Sequence, residues 1–265
     1  MYDLHVHSSF SNDCRHAMED MLKGALVKNV KTIAFTDHVD FEYGDCNLDL
    51  AFTPDDYIRE YKRLKTNYKN DIQILSGLEI GMQPHLSKKA NDFIQDYPFD
   101  FIIMSVHAAK GKGLYEGTYY KNRTPLQVYE DYYDDLIKIL DNFDNFDVVG
   151  HLDLVERYRI HISEIRPLDE YKEILVEALK KIIKMGKGIE VNTSGIRYGI
   201  ESFHPTKDIL KIYKDLGGEI ITIGSDAHKP EDICFAYHEA TQLLKELGFK
   251  HISIFKNRKK HYIKL

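Results

Sequence analysis

The stretch Asp100-Phe101-Ile102-Ile103-Met104-Ser105-Val106-His107 decides how the rest of the chain is read. It is an apolar run of one strand's length, rich in Ile and Phe, and it stops on a histidine. Working outward, similar runs stand at Tyr2–His7, Thr32–Asp37, Ile72–Ile80, Asp147–His151, Gly188–Asn192 and Glu219–Asp226. Between them lie segments with helical spacing. Ala17–Asn29 carries Met18, Met21, Leu22 and Ala25 on one face. Pro54–Asn70 opens on Thr53-Pro54, and Thr124-Pro125 repeats that start signal before a segment ending near Leu140. Leu168–Met185, Pro205–Leu216 and Glu231–Leu247 complete the set, the last stopped by Gly248.

About seven β-α units in alternation imply parallel strands joined by helical crossovers. The ends of the runs then choose the architecture. His5 and His7 close the first, Asp37-His38 the second, Glu79 the third, His107 the fourth, His151 the fifth and Asp226-Ala227-His228 the last. In a (β/α) barrel these C-terminal ends converge on one face, whereas an open sheet would hold the outer ones too far apart. The expected fold is therefore an α/β barrel of seven strands with its site at the C-terminal strand ends. No Pro/Gly/Ser-rich linker divides the chain, so residues 1–265 are expected to form one domain. Residues 250–265 should add a β-hairpin, His251–Phe255 and His261–Leu265, around a solvated turn at Lys256-Asn257-Arg258-Lys259-Lys260.

Composition narrows the function. A hydrophobic fraction of 43% and a charged fraction of 29% are those of a soluble globular protein. The three cysteines, Cys14, Cys46 and Cys234, are widely spaced and odd in number, which suggests a reducing compartment. With no secretory signal and no apolar stretch of about 18 residues, a cytoplasmic protein without membrane contact is expected. The net charge of −6 argues against a nucleic-acid partner. Oligomeric state is not legible.

His5 and His7 are two residues apart on a strand, so both rings point the same way and can grip one ion. Alone, H-x-H is a weak signal; the partners on the other strand ends strengthen it. Glu79 is a carboxylate inside the apolar run of Gly77-Leu78-Glu79-Ile80, costly unless paired or metal-bound. With His38, His107, His151, Asp226 and His228 the chain offers at least eight donors, where one zinc needs three or four. Two or three divalent ions are implied. Imidazole and carboxylate without thiolate suit zinc, iron or manganese better than magnesium. Such ions make a nucleophile of water at neutral pH and neutralise phosphoryl oxygens.

Taken in order, H-x-H, T-D-H, a strand-ending Glu, S-V-H, G-H and S-D-A-H resemble the PHP (polymerase and histidinol phosphatase) superfamily. The strings Gly150-His151-Leu152-Asp153 and Asn192-Thr193-Ser194-Gly195 look like its histidinol-phosphatase branch. The likeness runs from His5 to about His228. It implies a distorted (β/α)7 TIM-like barrel and a trinuclear metal centre. By this resemblance His5, His7, Glu79 and Asp226 hold one ion, and Glu79 bridges to a second on His107 and His151. Asp13, His38 and His228 hold the third, Asp13 standing where some relatives have His. Asp37 is expected to orient a ligand, and His16 is a nearby candidate for substrate contact.

A phosphate dianion favours fork-shaped donors, which points to Arg157, with Arg159 as its near alternative, and to Arg197. The expected activity is hydrolysis of a small phosphate monoester, L-histidinol phosphate to L-histidinol and phosphate, in histidine biosynthesis. Asp226 or His228 is expected to orient the nucleophile or protonate the leaving group. The alternatives are another phosphoesterase of the same superfamily, acting on phosphotyrosine or nucleotides, an amidohydrolase-type C–N hydrolase, and a non-catalytic barrel that binds nucleic acid or a polymerase.

Overall fold

The computed structural model describes residues 1–44 and 47–265. Cys46 lies outside the described residues, while Cys14 and Cys234 are free. The elements in chain order are β1 (Tyr2–Val6), α1 (Met18–Val27), β2 (Thr32–Phe35), β3 (His38–Tyr43), β4 (Leu48–Leu50), α2 (Pro54–Asn67), β5 (Gln73–Gly81) and α3 (Ser87–Ile94). They continue with β6 (Phe101–Ser105), β7 (Ala108–Ala109), β8 (Lys112–Gly113), α4 (Pro125–Asn142), β9 (Val148–Val149), α5 (Leu168–Lys184), β10 (Gly188–Asn192) and α6 (Ser194–Arg197). The last are α7 (Lys207–Asp215), β11 (Ile221–Gly224), α8 (Tyr237–Glu246), β12 (His251–Lys256) and β13 (Lys259–Lys264).

Seven parallel strands run in the order β1-β2-β5-β6-β9-β10-β11. Helices cover the outer face and side chains fill the inner one, so these strands are buried except for Tyr2 and Gln73 at the starts of β1 and β5. The seam between β11 and β1 is narrow: His7 N–H donates to Ala227 O at 3.0 Å and Asp226 N–H to His5 O at 2.8 Å. The barrel is thus nearly closed. Its lower interior is filled by Leu4, Ala34, Leu75, Phe101, Ile103, Val148 and Ile220.

Several expected boundaries shift. The run Thr32–Asp37 breaks after Phe35 and pairing resumes at His38: β2 covers the first half of β5, Thr32 opposite Gln73, and β3 the second, His38 opposite Glu79. Between them Asp37 turns to bind Ser8 and Ser11. The expected helix Glu231–Leu247 begins only at Tyr237, because the chain first spends a 3-10 turn at Pro230–Asp232. The Cys234 N–H then donates to the buried carboxylate of Asp3 at 2.6 Å. Helix α3 and the hairpins β3–β4 and β7–β8 were not expected. Helix α3 buries only Ala90 and Ile94, too thin an apolar stripe to read.

The C-terminal hairpin forms as expected, but its turn is not merely solvated. Ile254 and Phe255 plug the lower barrel interior, Phe255 stacking on Phe101 with centroids 5.3 Å apart. Arg258 Nε donates to Asp147 Oδ2 at 2.7 Å, and Asp100 Oδ1 accepts from Asn257 N–H at 2.8 Å, both at the N-terminal ends of strands. Phe255→Ala is expected to cost about 3 kcal/mol by opening a cavity under the barrel, read from the denaturation midpoint. A midpoint within error of the parent would show that the hairpin does not seal the core.

Candidate metal centre

Strand β1 brings the first ligands in. Between Asp3 and Val6 it advances one residue more than β2, a β-bulge. Leu4 therefore packs into the interior while His5 turns to Glu79 and Glu190. The rings of His5 and His7 lie 5.0 Å apart. Asp37 fixes the loop that follows: it accepts from the N–H and hydroxyl of both Ser8 and Ser11. Ser11 Oγ in turn lies 3.0 Å from His7 Nδ1 and accepts from His38 N–H at 3.1 Å. Asp37 so orients two imidazole residues through one serine.

Glu79 stands at the middle. Its Oε2 lies 3.1 Å from His5 Nε2 and 3.6 Å from His7 Nε2. Its Oε1 lies 2.8 Å from His151 Nε2, 3.2 Å from His107 Nε2, and accepts from Ser105 Oγ at 2.6 Å. Three sets of side-chain ligand atoms come within 4.8 Å of one another: His5 with His7 and Glu79; Glu79 with His107 and His151; His7 with His38 and His228. Asp226 Oδ1 is 3.2 Å from His7 Nε2. Asp13 Oδ1 lies 3.0 Å from His38 Nε2 and 3.2 Å from His228 Nε2.

These residues fit divalent ions. Tetrahedral ligands about 2.1 Å from zinc stand roughly 3.4 Å apart, close to the separations around Glu79 and Asp226. Despite their carboxylate neighbours, His7 Nε2 and His228 Nε2 are buried without hydrogen-bond partners, as expected of atoms aimed at a common ion. Burial and the neighbouring His228 lower the His7 pKa to about 3, which leaves it neutral with a free lone pair. Burial alone would raise Glu79, yet His5 and His107 hold it well below the usual carboxylate range. Asp226 is held low too, where Arg157 and then His7 outweigh burial. His151 and Asp226 also take left-handed backbone, φ 21° and 54°, strain that clusters at functional positions.

The sequence reading missed the residues behind the ligands. Glu190 accepts from His5 Nδ1 at 2.7 Å and from His151 N–H at 3.0 Å. It sits inside an apolar run just as Glu79 does, and that signal was available. Asp40 spans two imidazoles, 2.9 Å from His38 Nδ1 and 2.7 Å from His107 Nδ1. A Cβ on Gly81 would fall 1.7 Å from Asp40 Oδ1. Gly81→Ala must therefore displace Asp40, and metal content and rate are expected to fall about 10–100-fold, the range for losing such an outer partner. Full metal content and rate in that variant would remove Asp40 from the site.

The centre opens into a cavity of about 440 Å³ whose lining includes His7, Asp13, His38, Glu79, His107, His151, Arg157, Asp226 and His228. Arg157 Nη2 donates to Asp226 Oδ2 at 2.8 Å and to Ser194 Oγ at 2.6 Å, its guanidinium over the Tyr198 ring. Arg197 approaches the same residue from behind, donating to Asp226 O at 2.8 Å and Ser225 O at 3.2 Å. Its guanidinium packs between Tyr198 and Phe235 and does not line the cavity. Arg159 donates to Gly199 O at 3.0 Å. His16 is half-buried and outside the cavity lining.

The PHP domain family model matches residues 3–194. The histidinol-phosphatase of Lactococcus lactis is 32% identical over 259 residues, covering 97% of this chain and 95% of that protein. A probable histidinol-phosphatase of Clostridium acetobutylicum is 30% identical over 264 residues, covering 98% and 99%. The crystal structure of histidinol phosphate phosphatase from Lactococcus lactis, complexed with zinc, L-histidinol and phosphate, superposes with a TM-score of 0.88 at 30% identity, covering 98% of each chain.

Proposed function

The chain belongs to the PHP domain family, and from that premise we propose that it is a metal-dependent histidinol-phosphatase, turning L-histidinol phosphate and water into L-histidinol and phosphate. The observation that carries this reading is the sharing of Glu79 by two His–carboxylate groups beside Arg157 at the floor of one cavity. The Lactococcus lactis structure, with zinc, L-histidinol and phosphate, supports it from outside.

In this reading His5, His7, Glu79 and Asp226 would hold one ion, Glu79, His107 and His151 a second, and Asp13, His38 and His228 a third. When bound, zinc, iron or manganese ions activate water and neutralise charge on the phosphoryl oxygens. The protein's own groups do the rest. Arg157 binds a non-bridging phosphate oxygen, and Arg197 holds the Ser225–Asp226 backbone from behind. Asp226 and His228 orient the attacking water, and the proton that water gives up passes to the leaving oxygen. Among the described residues the cavity lining also includes Tyr43, Leu48, Leu50, Tyr115 and Tyr158 together with Glu116, a mix of rings and negative charge that suits an imidazole-bearing cationic leaving group.

The enzyme is read as cytoplasmic, one domain over 1–265 with the hairpin of 250–265 as its extension, and without a nucleic-acid partner. Among the described residues no helix is long and apolar enough to cross a membrane. Purified protein assayed against L-histidinol phosphate, a phosphotyrosine peptide and nucleoside monophosphates tests the substrate. The highest kcat/KM is expected for L-histidinol phosphate; a higher value on either competitor overturns that assignment. Arg157→Ala is expected to lower kcat/KM about 100-fold, since a charge-assisted contact of about 2–3 kcal/mol is lost. Kinetics unchanged by that substitution would place the phosphate elsewhere.

A further inference from the structure

Asp153 and His204 form a buried pair that the mechanism leaves unused. Their side chains are 2% and 1% exposed, and His204 Nδ1 lies 2.6 Å from Asp153 Oδ1. The second oxygen, Oδ2, accepts from Thr206 N–H at 2.9 Å, just ahead of α7. His204 is tied to the end of β10, its N–H donating to Asn192 O at 2.9 Å and its carbonyl accepting from Asn192 N–H at 2.7 Å. A pair this deep repays its desolvation only when its geometry is fixed.

Its place in the chain gives that fixity a use. Asp153 follows His151 by two residues and precedes Arg157 by four, in a loop after β9 built from short 3-10 turns. No long helix sets where Arg157 stands. Asn192, on the other side, accepts from Ser194 N–H at 3.0 Å and from Ser194 Oγ at 2.5 Å. Ser194 Oγ meets Arg157 Nη2 at 2.6 Å. The loops after β9 and β10 are thus joined twice, below by Asp153–His204 and above by Arg157–Ser194. Gly195 lets the loop after β10 fold tightly back on itself and bring His204 up to the end of β10, since a Cβ there would fall 2.3 Å from Ser202 O.

We propose that the His204–Asp153 pair is a positioning element of the phosphate site, setting the spacing of these two loops and so where Arg157 presents its guanidinium. The proposal rests on Arg157 as the phosphate-binding arginine. A misplacement of about 1 Å is enough to weaken such a contact severely.

The test uses the intact chain carrying Asp153→Asn, His204→Gln or His204→Asn. Asparagine places an N–H near the position of Nδ1, and glutamine near that of Nε2. Asp153→Asn and His204→Gln are expected to raise the KM for L-histidinol phosphate and the Kd for inorganic phosphate about tenfold, with kcat and metal content within about twofold. His204→Asn should stay near the parent in all four. Calorimetric binding of phosphate needs no turnover, so it separates failure of this proposal from failure of the substrate assignment. Should Asp153→Asn not fold, the contrast between His204→Asn and His204→Gln decides. Unchanged phosphate affinity in the folded variants, His204→Asn as impaired as His204→Gln, or losses confined to thermal stability would overturn it.

Discussion

Glu79→Gln is expected to abolish phosphatase activity by about a thousandfold or more and to lower the metal content of the purified protein, while the fold persists. The carboxylate faces imidazoles on both sides, His5 and His7 on Oε2 and His107 and His151 on Oε1. An amide of the same shape keeps one oxygen but replaces the other with an N–H₂ group that has no lone pair to offer an ion. The charge stabilisation that ions supply to phosphoryl transfer is several kcal/mol, and each 1.36 kcal/mol is about tenfold in rate. Elemental analysis, circular dichroism and kcat on L-histidinol phosphate together read the result. A variant with full metal content and parental kcat would sink the placing of Glu79 between two ions.

Complete chelation is expected to remove activity and to lower Tm by about 10 °C, both restored by zinc or manganese. An ion present at about a thousandfold over its Kd stabilises the folded state by about 4 kcal/mol, and a chain of this size shifts by roughly 2–4 °C per kcal/mol. The protein without ions keeps a core crowded with imidazoles and carboxylates, including His7 Nε2 and His228 Nε2 with no hydrogen-bond partner. The sign therefore follows from the site: ions remove an existing burial cost. Turnover that survives verified removal of all metal would end the mechanism, and an unchanged Tm would show that the ions bind too weakly to belong to the fold.

Much of the barrel was legible because each strand is short, apolar and ended by a residue that does not belong in a core. The run ending at His107 and the carboxylate of Glu79 inside its own run carry that signal. Glu190 carried it too and was passed over because its run ends on Asn192. Asp40 was unreadable, because its importance lies in touching His38 and His107 at once, and His107 comes from a distant strand. The two arginines divide similarly. Both lie in loops after barrel strands, yet one lines the cavity and the other grips the backbone behind Asp226.

The sequence by itself determined the alternation of strand and helix, the seven-strand barrel and the identity of nearly every candidate ligand. These follow from local period and from single residues whose polarity contradicts their surroundings. Only the tertiary structure decided which candidate ligand atoms come within 4.8 Å of one another, how a bulge in β1 lets Leu4 and His5 both turn inward, and that the C-terminal hairpin plugs the barrel floor. It also showed that Asp153 and His204, 51 positions apart, meet in the core. The physical reason is one throughout. Periodicity records what a residue's near neighbours require, whereas a site is made where strand ends distant in the chain are brought within a few ångströms of one another.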